Sequence, residues 1–201
     1  AKRVGELREI RLESSRPQLA DIPHLFAQIT QPVNKGFILI PAHSSENRDY
    51  IPMGYFDSNH KANNSCFIVA TDDIYIFGIL TSKMHMTWMR AVGGKIKTDY
   101  RYSKDVVYNT FPFPNISQKQ KDEITEFVFT ILDEREKHSE KTLAQLYDPD
   151  KMPEGLRKAH HALDIAIEKC YRQKPFESDE ERLEYLFKMY EEMTGKLGKK
   201  I

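Results

Sequence analysis

Apolar positions along this chain keep two different rhythms. Between residues 22 and 115 they come in short runs, each bounded by Pro, Gly, Asn or Asp. Runs over 24–29, 36–41, 51–56 and 66–71 predict short strands broken by turns. The polar stretch 58–64 predicts a loop. From Asp72 the apolar run lengthens. Asp72 or Asp73 is placed to cap a helix that reaches about Val92 and stops at Gly93-Gly94. This helix is rich in Ile, Phe, Leu and Met and carries Trp88, so most of it should be buried. Residues 95–102 and 106–111 predict further strands, and Pro112 and Pro114 close this half.

Over 117–194 the rhythm becomes helical. Ser117 with Gln120 has the spacing of a capping box, followed by Ile124, Phe127, Val128, Ile131 and Leu132 along one stripe. Pro153 or Glu154 opens a second helix with Leu156, Ala159, Leu163, Ile167 and Cys170. Ser178 with Glu181 caps a third with Leu183, Leu186, Phe187 and Tyr190. The pattern predicts an α+β protein. Residues 1–115 form a mixed-sheet domain with a buried helix, and residues 116–201 a small all-α domain. No internal repeat or low-complexity segment breaks this division.

Composition narrows the class. The chain has 201 residues, 40% hydrophobic and 30% charged, which excludes disorder throughout. No apolar run approaches the roughly 20 residues a membrane span needs. Residues 1–20 lack the apolar stretch of a secretory signal. Cys66 and Cys170 lie far apart and form neither a disulfide framework nor a metal knuckle, so a reducing cytoplasm is the expected setting. Opening on Ala1-Lys2-Arg3 without Met is expected of a processed protein or a piece of a longer one.

Charge sums to zero, with 30 basic and 30 acidic residues, which excludes a uniformly polybasic nucleic-acid binder. The distribution matters more than the sum. Residues 1–115 hold 14 basic and 11 acidic residues. Within 83–104, Lys83, Arg90, Lys95, Lys97, Arg101 and Lys104 face one acid, Asp99.

Several chemistries are missing. There is no Gly-x-Gly phosphate loop, no Asn-Pro, no Glu-x-Lys and no His-Glu-x-x-His. Asp148-Pro149 continues with Asp150, so it does not make the Asp-Pro-Pro-aromatic motif of amino-methylating enzymes. His160 and His161 are adjacent and point to different sides of a helix, which suits a structural or solvent role better than a ligand pair. His85 reads as a core histidine and Cys66 as a buried thiol. No catalytic or metal-binding set is predicted.

What is present is the segment from Gly93 to Ser103. As one extended strand, its alternation places Lys95, Lys97, Asp99 and Arg101 on one face and Ile96, Thr98, Tyr100 and Tyr102 on the other. A solvated strand face is one reading of this row. Base recognition is the other: lysine and arginine donate to guanine O6 and N7, and aspartate accepts from cytosine N4.

A resemblance favours the second reading. Tyr100-Arg101-Tyr102-Ser103, then Val107-Tyr108-Asn109-Thr110-Phe111-Pro112-Phe113-Pro114, resembles the end of the target-recognition domain of MmeI-like type II restriction-modification enzymes. The stretch from Phe77 to Arg90 is similar to the family's helix upstream of that point. Leu146-Tyr147-Asp148-Pro149-Asp150-Lys151-Met152-Pro153 and the following Leu156-Arg157-Lys158-Ala159-His160 resemble its short C-terminal helical domain. The likeness covers most of residues 20–195.

The resemblance implies a sequence-specific module for double-stranded DNA, reading the major groove. Lys97, Asp99 and Arg101 match the family's base-reading positions, the Lys/Asp pair implying guanine at its step. Lys83, Arg90, Lys95 and Lys104 are expected to hold phosphates. Nuclease and methyltransferase motifs are absent, so the chain looks like a non-catalytic C-terminal piece of a longer enzyme. That parent would join endonuclease and adenine methyltransferase domains, which use Mg²⁺ and S-adenosylmethionine. A protein-interaction or scaffold domain docking through its acidic helical half is the alternative, followed by a small hydrolase of unrecognised type. Steep weakening by salt marks nucleic-acid binding and not apolar docking.

Overall fold

The computed structural model describes residues 2–25 and 34–197, and the chain divides into two compact units, Ala1–Pro32 and Val33–Ile201. The packing units therefore meet near residue 32.

In the first unit, helix α1 (Lys2–Leu12) buries none of its residues. A 3-10 turn, Pro17–Asp21, follows. The Arg11 guanidinium ties the two together by donating to the carbonyls of Leu19 (3.0 Å), Ile22 (2.6 Å) and Leu25 (2.7 Å). Of the strand expected over 24–29, residues 26–29 lie outside the described residues. His24 and Leu25 stand in a turn.

Among the described residues the second unit holds two three-stranded sheets, antiparallel at every pairing where a mixed sheet was expected. In the first, β1 (Phe37–Pro41) lies between β3 (Gly54–Phe56) and β4 (Cys66–Ala70), with Ile38 opposite both Tyr55 and Val69. The expected strand 51–56 is cut to its last three residues. Pro52 has no N–H to give, and the Met53 N–H turns back to the Ile51 carbonyl at 2.7 Å. In the second sheet, β6 (Asp99–Arg101) lies between β2 (His43–Ser44) and β5 (Gly94–Ile96). Ala42 joins the sheets: its N–H donates to Ser65 and its carbonyl accepts from Tyr102.

The single helix expected over 72–92 is two, α2 (Ile74–Leu80) and α3 (Lys83–Val92). Ser82 is extended (φ −84°, ψ 164°) and its hydroxyl donates back to Ile79, which breaks the helical run. Asp73 takes the N-cap position of α2, while Asp72 accepts from the Gly36 N–H at 2.8 Å. The strand expected over 106–111 is a π-helical turn, Lys104–Tyr108, begun where Ser103 accepts from the Val106 N–H.

The helical half follows its caps. Ser117 and Gln120 form the expected capping box of α4 (Gln118–Glu136). Thr142 and Gln145 form a second box on the short α5 (Leu143–Leu146). α6 (Glu154–Tyr171) and α7 (Asp179–Leu197) complete the set. Gly78 of α2 lets α4 approach closely: a Cβ there would lie 2.6 Å from Ile124 and 2.9 Å from Val128. One continuous core runs from Ile38 and Ile40 through Phe77 and Trp88 to Ile124, Leu163 and Ile167. Phe187 and Tyr190 of α7 cover the Trp88 ring at 5.1 and 5.7 Å. Among the described residues no helix is long and apolar enough to cross a membrane.

Candidate nucleic-acid interface

The Gly93 N–H closes α3 on the Met89 carbonyl at 2.8 Å. A Cβ at Gly93 would lie 2.5 Å from that oxygen, so only glycine fits the exit. The chain passes directly into β5, turns at Lys97 and Thr98, and returns as β6. Two-residue hairpin turns demand positive φ, and Lys97 supplies it at 56°.

The expected single strand over 95–102 is therefore folded in two, and its row of four does not share one face. Alternation holds only within a strand, and the turn resets it. Cross-strand partners lie on the same face. Lys95 is opposite Tyr100, on the side of buried Tyr102, with its ammonium 5.3 Å from the Tyr100 ring centre. Asp99 and Arg101 point to the other face. There Ile96 is opposite Asp99, and Gly94 and His43 are opposite Arg101. Lys97 stands at the tip. His43, Lys97, Asp99 and Arg101 are all exposed. Asp99 has one internal restraint: its carboxylate accepts from the Glu46 N–H at 3.3 Å.

The four cations expected at phosphates are scattered. Lys95 flanks the hairpin. Lys104 is exposed, 3.8 Å from Asp105. Lys83 and Arg90 converge on Asp179 of α7, at 3.9 and 3.5 Å, and Arg90 also donates to the Arg48 carbonyl at 3.1 Å. Three of the four thus already lie beside an internal carboxylate, and Lys95 lies against a tyrosine ring.

In the protein interior one cluster of polar side chains is buried and hydrogen-bonded. Arg135 of α4 donates through Nε to the Tyr147 hydroxyl (2.9 Å), again through Nη2, and through Nη1 to the Met53 carbonyl (2.9 Å). With two donors on its oxygen, the Tyr147 hydroxyl gives its proton to Nε2 of His160 at 2.6 Å. That imidazole is neutral: burial, and then the Arg135 charge, hold it well below the usual histidine range. This is a core histidine, as expected. So is His85, fully buried, pushed by burial down to about 3, and 3.0 Å from the Tyr102 hydroxyl. Cys66, expected buried, is half-buried. Asp164 of α6 is buried, and burial pushes its carboxyl up to about 6 against hydrogen bonds from Tyr50 and the Lys83 N–H. No group of three or more His, Cys, Asp or Glu among the described residues is arranged to hold a metal ion.

Sequence reasoning missed His43 on the face of Asp99 and Arg101, the Glu46 contact to Asp99, and the Tyr50–Asp164 pair. His43 has no local signal, because it reaches Arg101 only through a strand pairing 58 positions apart. Asp164, an acid on the apolar stripe of α6, could have been flagged as a buried polar group that needs a partner.

Residues 1–115 match the MmeI target recognition domain, and residues 116–198 the MmeI C-terminal domain. The chain is 48% identical over 187 residues to DNA methyltransferase A of Bacillus subtilis (strain 168); this is 93% of the chain and 21% of that protein. The solved structure of the type IIL restriction-modification enzyme MmeI in complex with DNA is similar with a TM-score of 0.86 at 41% identity, covering 96% of this chain and 26% of that one. The chain thus spans only about a quarter of either relative's length. With both domain families matched end to end over nearly its whole length, it belongs to the MmeI family as a target recognition domain followed by a C-terminal domain.

Proposed function

We propose that this chain is the sequence-specific, double-stranded DNA recognition module of a restriction-modification enzyme. Residues 1–115 read DNA and residues 116–201 form a helical domain. The endonuclease and adenine methyltransferase domains of the same parent, with Mg²⁺ and S-adenosylmethionine, would act on the site it selects. No chemical step is assigned to this chain's residues.

The observation that carries the reading is the β5–β6 hairpin. It offers a long donor at its tip and an acceptor and a second donor along one face, all exposed. A two-stranded ribbon fits the major groove. Lys97 reaches guanine O6 and N7, Asp99 accepts from cytosine N4, and Arg101 takes a second guanine or a phosphate. Lys95, on the opposite face, is placed for a groove wall. Lys83, Arg90 and Lys104 serve the backbone, Lys83 and Arg90 by exchanging Asp179 for phosphate. Positive φ at Lys97 supports the reading further, since a non-glycine residue there keeps a side chain at a conformational cost.

The test is selection from randomised duplexes by the full-length protein and by K97E/D99R. The double variant should change the preferred pair at one position, a discrimination of about 1–3 kcal/mol. Equal weakening on every sequence would remove the base-reading role.

A further inference from the structure

We infer that Asp164, on a helix of the C-terminal domain, is a positioning residue for base recognition: it locks the start of α3 to the 45–50 segment and so fixes the recognition hairpin. The inference rests on the proposed DNA-reading role.

The first arm runs through α3. The first N–H groups of a helix need acceptors. Ser82 holds the N-cap position of α3, but its side chain makes no capping bond; its hydroxyl is turned to Ile79 at 2.7 Å. The missing cap arrives from α6, where Asp164 Oδ1 accepts from the Lys83 N–H at 2.7 Å. From there α3 holds both strands of the hairpin. Its last turn runs through Gly93 into β5. His85, in its first turn, lies 3.0 Å from the hydroxyl of Tyr102, the residue after Arg101.

The second arm runs through residues 45–50. Tyr50 donates to Asp164 Oδ2 at 2.6 Å, and its ring stacks on His160 with centroids 4.2 Å apart. Further along the segment, Asp49 pairs with Arg157 of α6 at 3.1 Å, and the Arg48 carbonyl accepts from Arg90 of α3. At its start the Glu46 N–H donates to Asp99, a proposed base reader. One carboxylate, 4% exposed, thus closes a loop that meets the hairpin from two sides.

A plain stability role predicts that loosening this joint lowers the folded fraction while each folded molecule keeps its preference. A positioning role predicts lost preference in the folded molecule. The experiment measures affinity of the full-length protein for its selected duplex and for that duplex with one recognised pair changed. It compares wild type, Asp164→Ala, Asp164→Asn and Tyr50→Phe, with the folded fraction checked by circular dichroism. Asn keeps an acceptor for the Lys83 N–H, and Phe keeps the ring stack.

The affinity ratio should fall about tenfold in Asp164→Ala, fall less in Tyr50→Phe, and largely return in Asp164→Asn. Binding to the changed duplex should stay near wild type. If Asp164→Ala does not fold, the Tyr50→Phe ratio decides alone. An unchanged ratio in folded variants, or equal weakening on both duplexes, overturns the inference. A wild type that prefers no duplex overturns the DNA-reading role itself, a separate result.

Discussion

The hairpin and the helical interior behind it treat charge in opposite ways. On the hairpin, Lys97, Asp99 and Arg101 are exposed, and of their side chains only the Asp99 carboxylate makes a bond to the rest of the protein, to one backbone N–H. In the interior, Arg135, Asp164, Glu168 and Arg182 are each less than a tenth exposed and each bonded. Buried charges are there because the fold uses them; removing one partner strands the other. Exposed charges on a short hairpin contribute little to stability. Their residue types are therefore free to follow a ligand, and the interior is free to hold them still.

The sharpest way to break this contrast is to damage the interior and read the surface. Trp88 is 1% exposed, lies under Phe187 and Tyr190, and donates to Thr110 at 3.2 Å. Trp88→Ala should cost about 3–5 kcal/mol, seen as a large fall in thermal midpoint. At a temperature where the variant is folded, duplex preference should be intact. Loss of stability below about 1 kcal/mol would mean that α3 and α7 are not held together as described.

Asp164 tests the interior from the other side. Its carboxyl is raised from 3.8 to about 6, mainly by burial. Glu168 pushes it up, while Tyr50 and the N–H and ammonium of Lys83 pull it down. His160 lies one turn back along α6, and Asp179 of α7 faces Lys83. For an acid raised in the folded state, the stabilising contribution is complete below about pH 4 and is lost as pH rises through about 6. Asp164→Asn escapes that loss. Relative to wild type the variant should gain roughly 3 kcal/mol between about pH 4 and pH 8, as chemical denaturation at several pH values would show. A variant less stable than wild type at pH 8 would make the buried charge a net support of the fold.

The two regions also differ in how far they could be read from residues alone. The helical half was legible because its signals are local: Ser117 and Gln120 sit three apart, and the box they predict is the box that forms. The α3 boundary was half legible, since Gly93 ended the helix but nothing nearby announced the break at Ser82, whose substitute cap lies 82 positions away on Asp164. The hairpin was misread as one strand. Its turn is Lys97-Thr98, without the Asn-Gly or Asp-Gly pair that normally marks such a turn. The residues of the proposed site were nonetheless named, because chemistry and resemblance point to residue types even where the strand geometry is wrong. What could not be read was which neighbours share their face, a property of long-range pairing.

The turn residue Lys97 offers the smallest and most discriminating test. Lys97 occupies φ 56°, where a residue with a Cβ costs roughly 1 kcal/mol relative to glycine. Lys97→Gly relieves this at the tip of a turn where the side chain has no described role in the core. Thermal unfolding should show a stability unchanged or raised by up to about 1 kcal/mol. Selection from randomised duplexes should show lost preference at one base pair while neighbouring positions keep theirs. Stability and recognition would then move in opposite directions from one substitution, the behaviour of a side chain kept for its ligand. A fall in stability with preference intact would place Lys97 with the interior residues, and the distinction between the hairpin and its support would not hold.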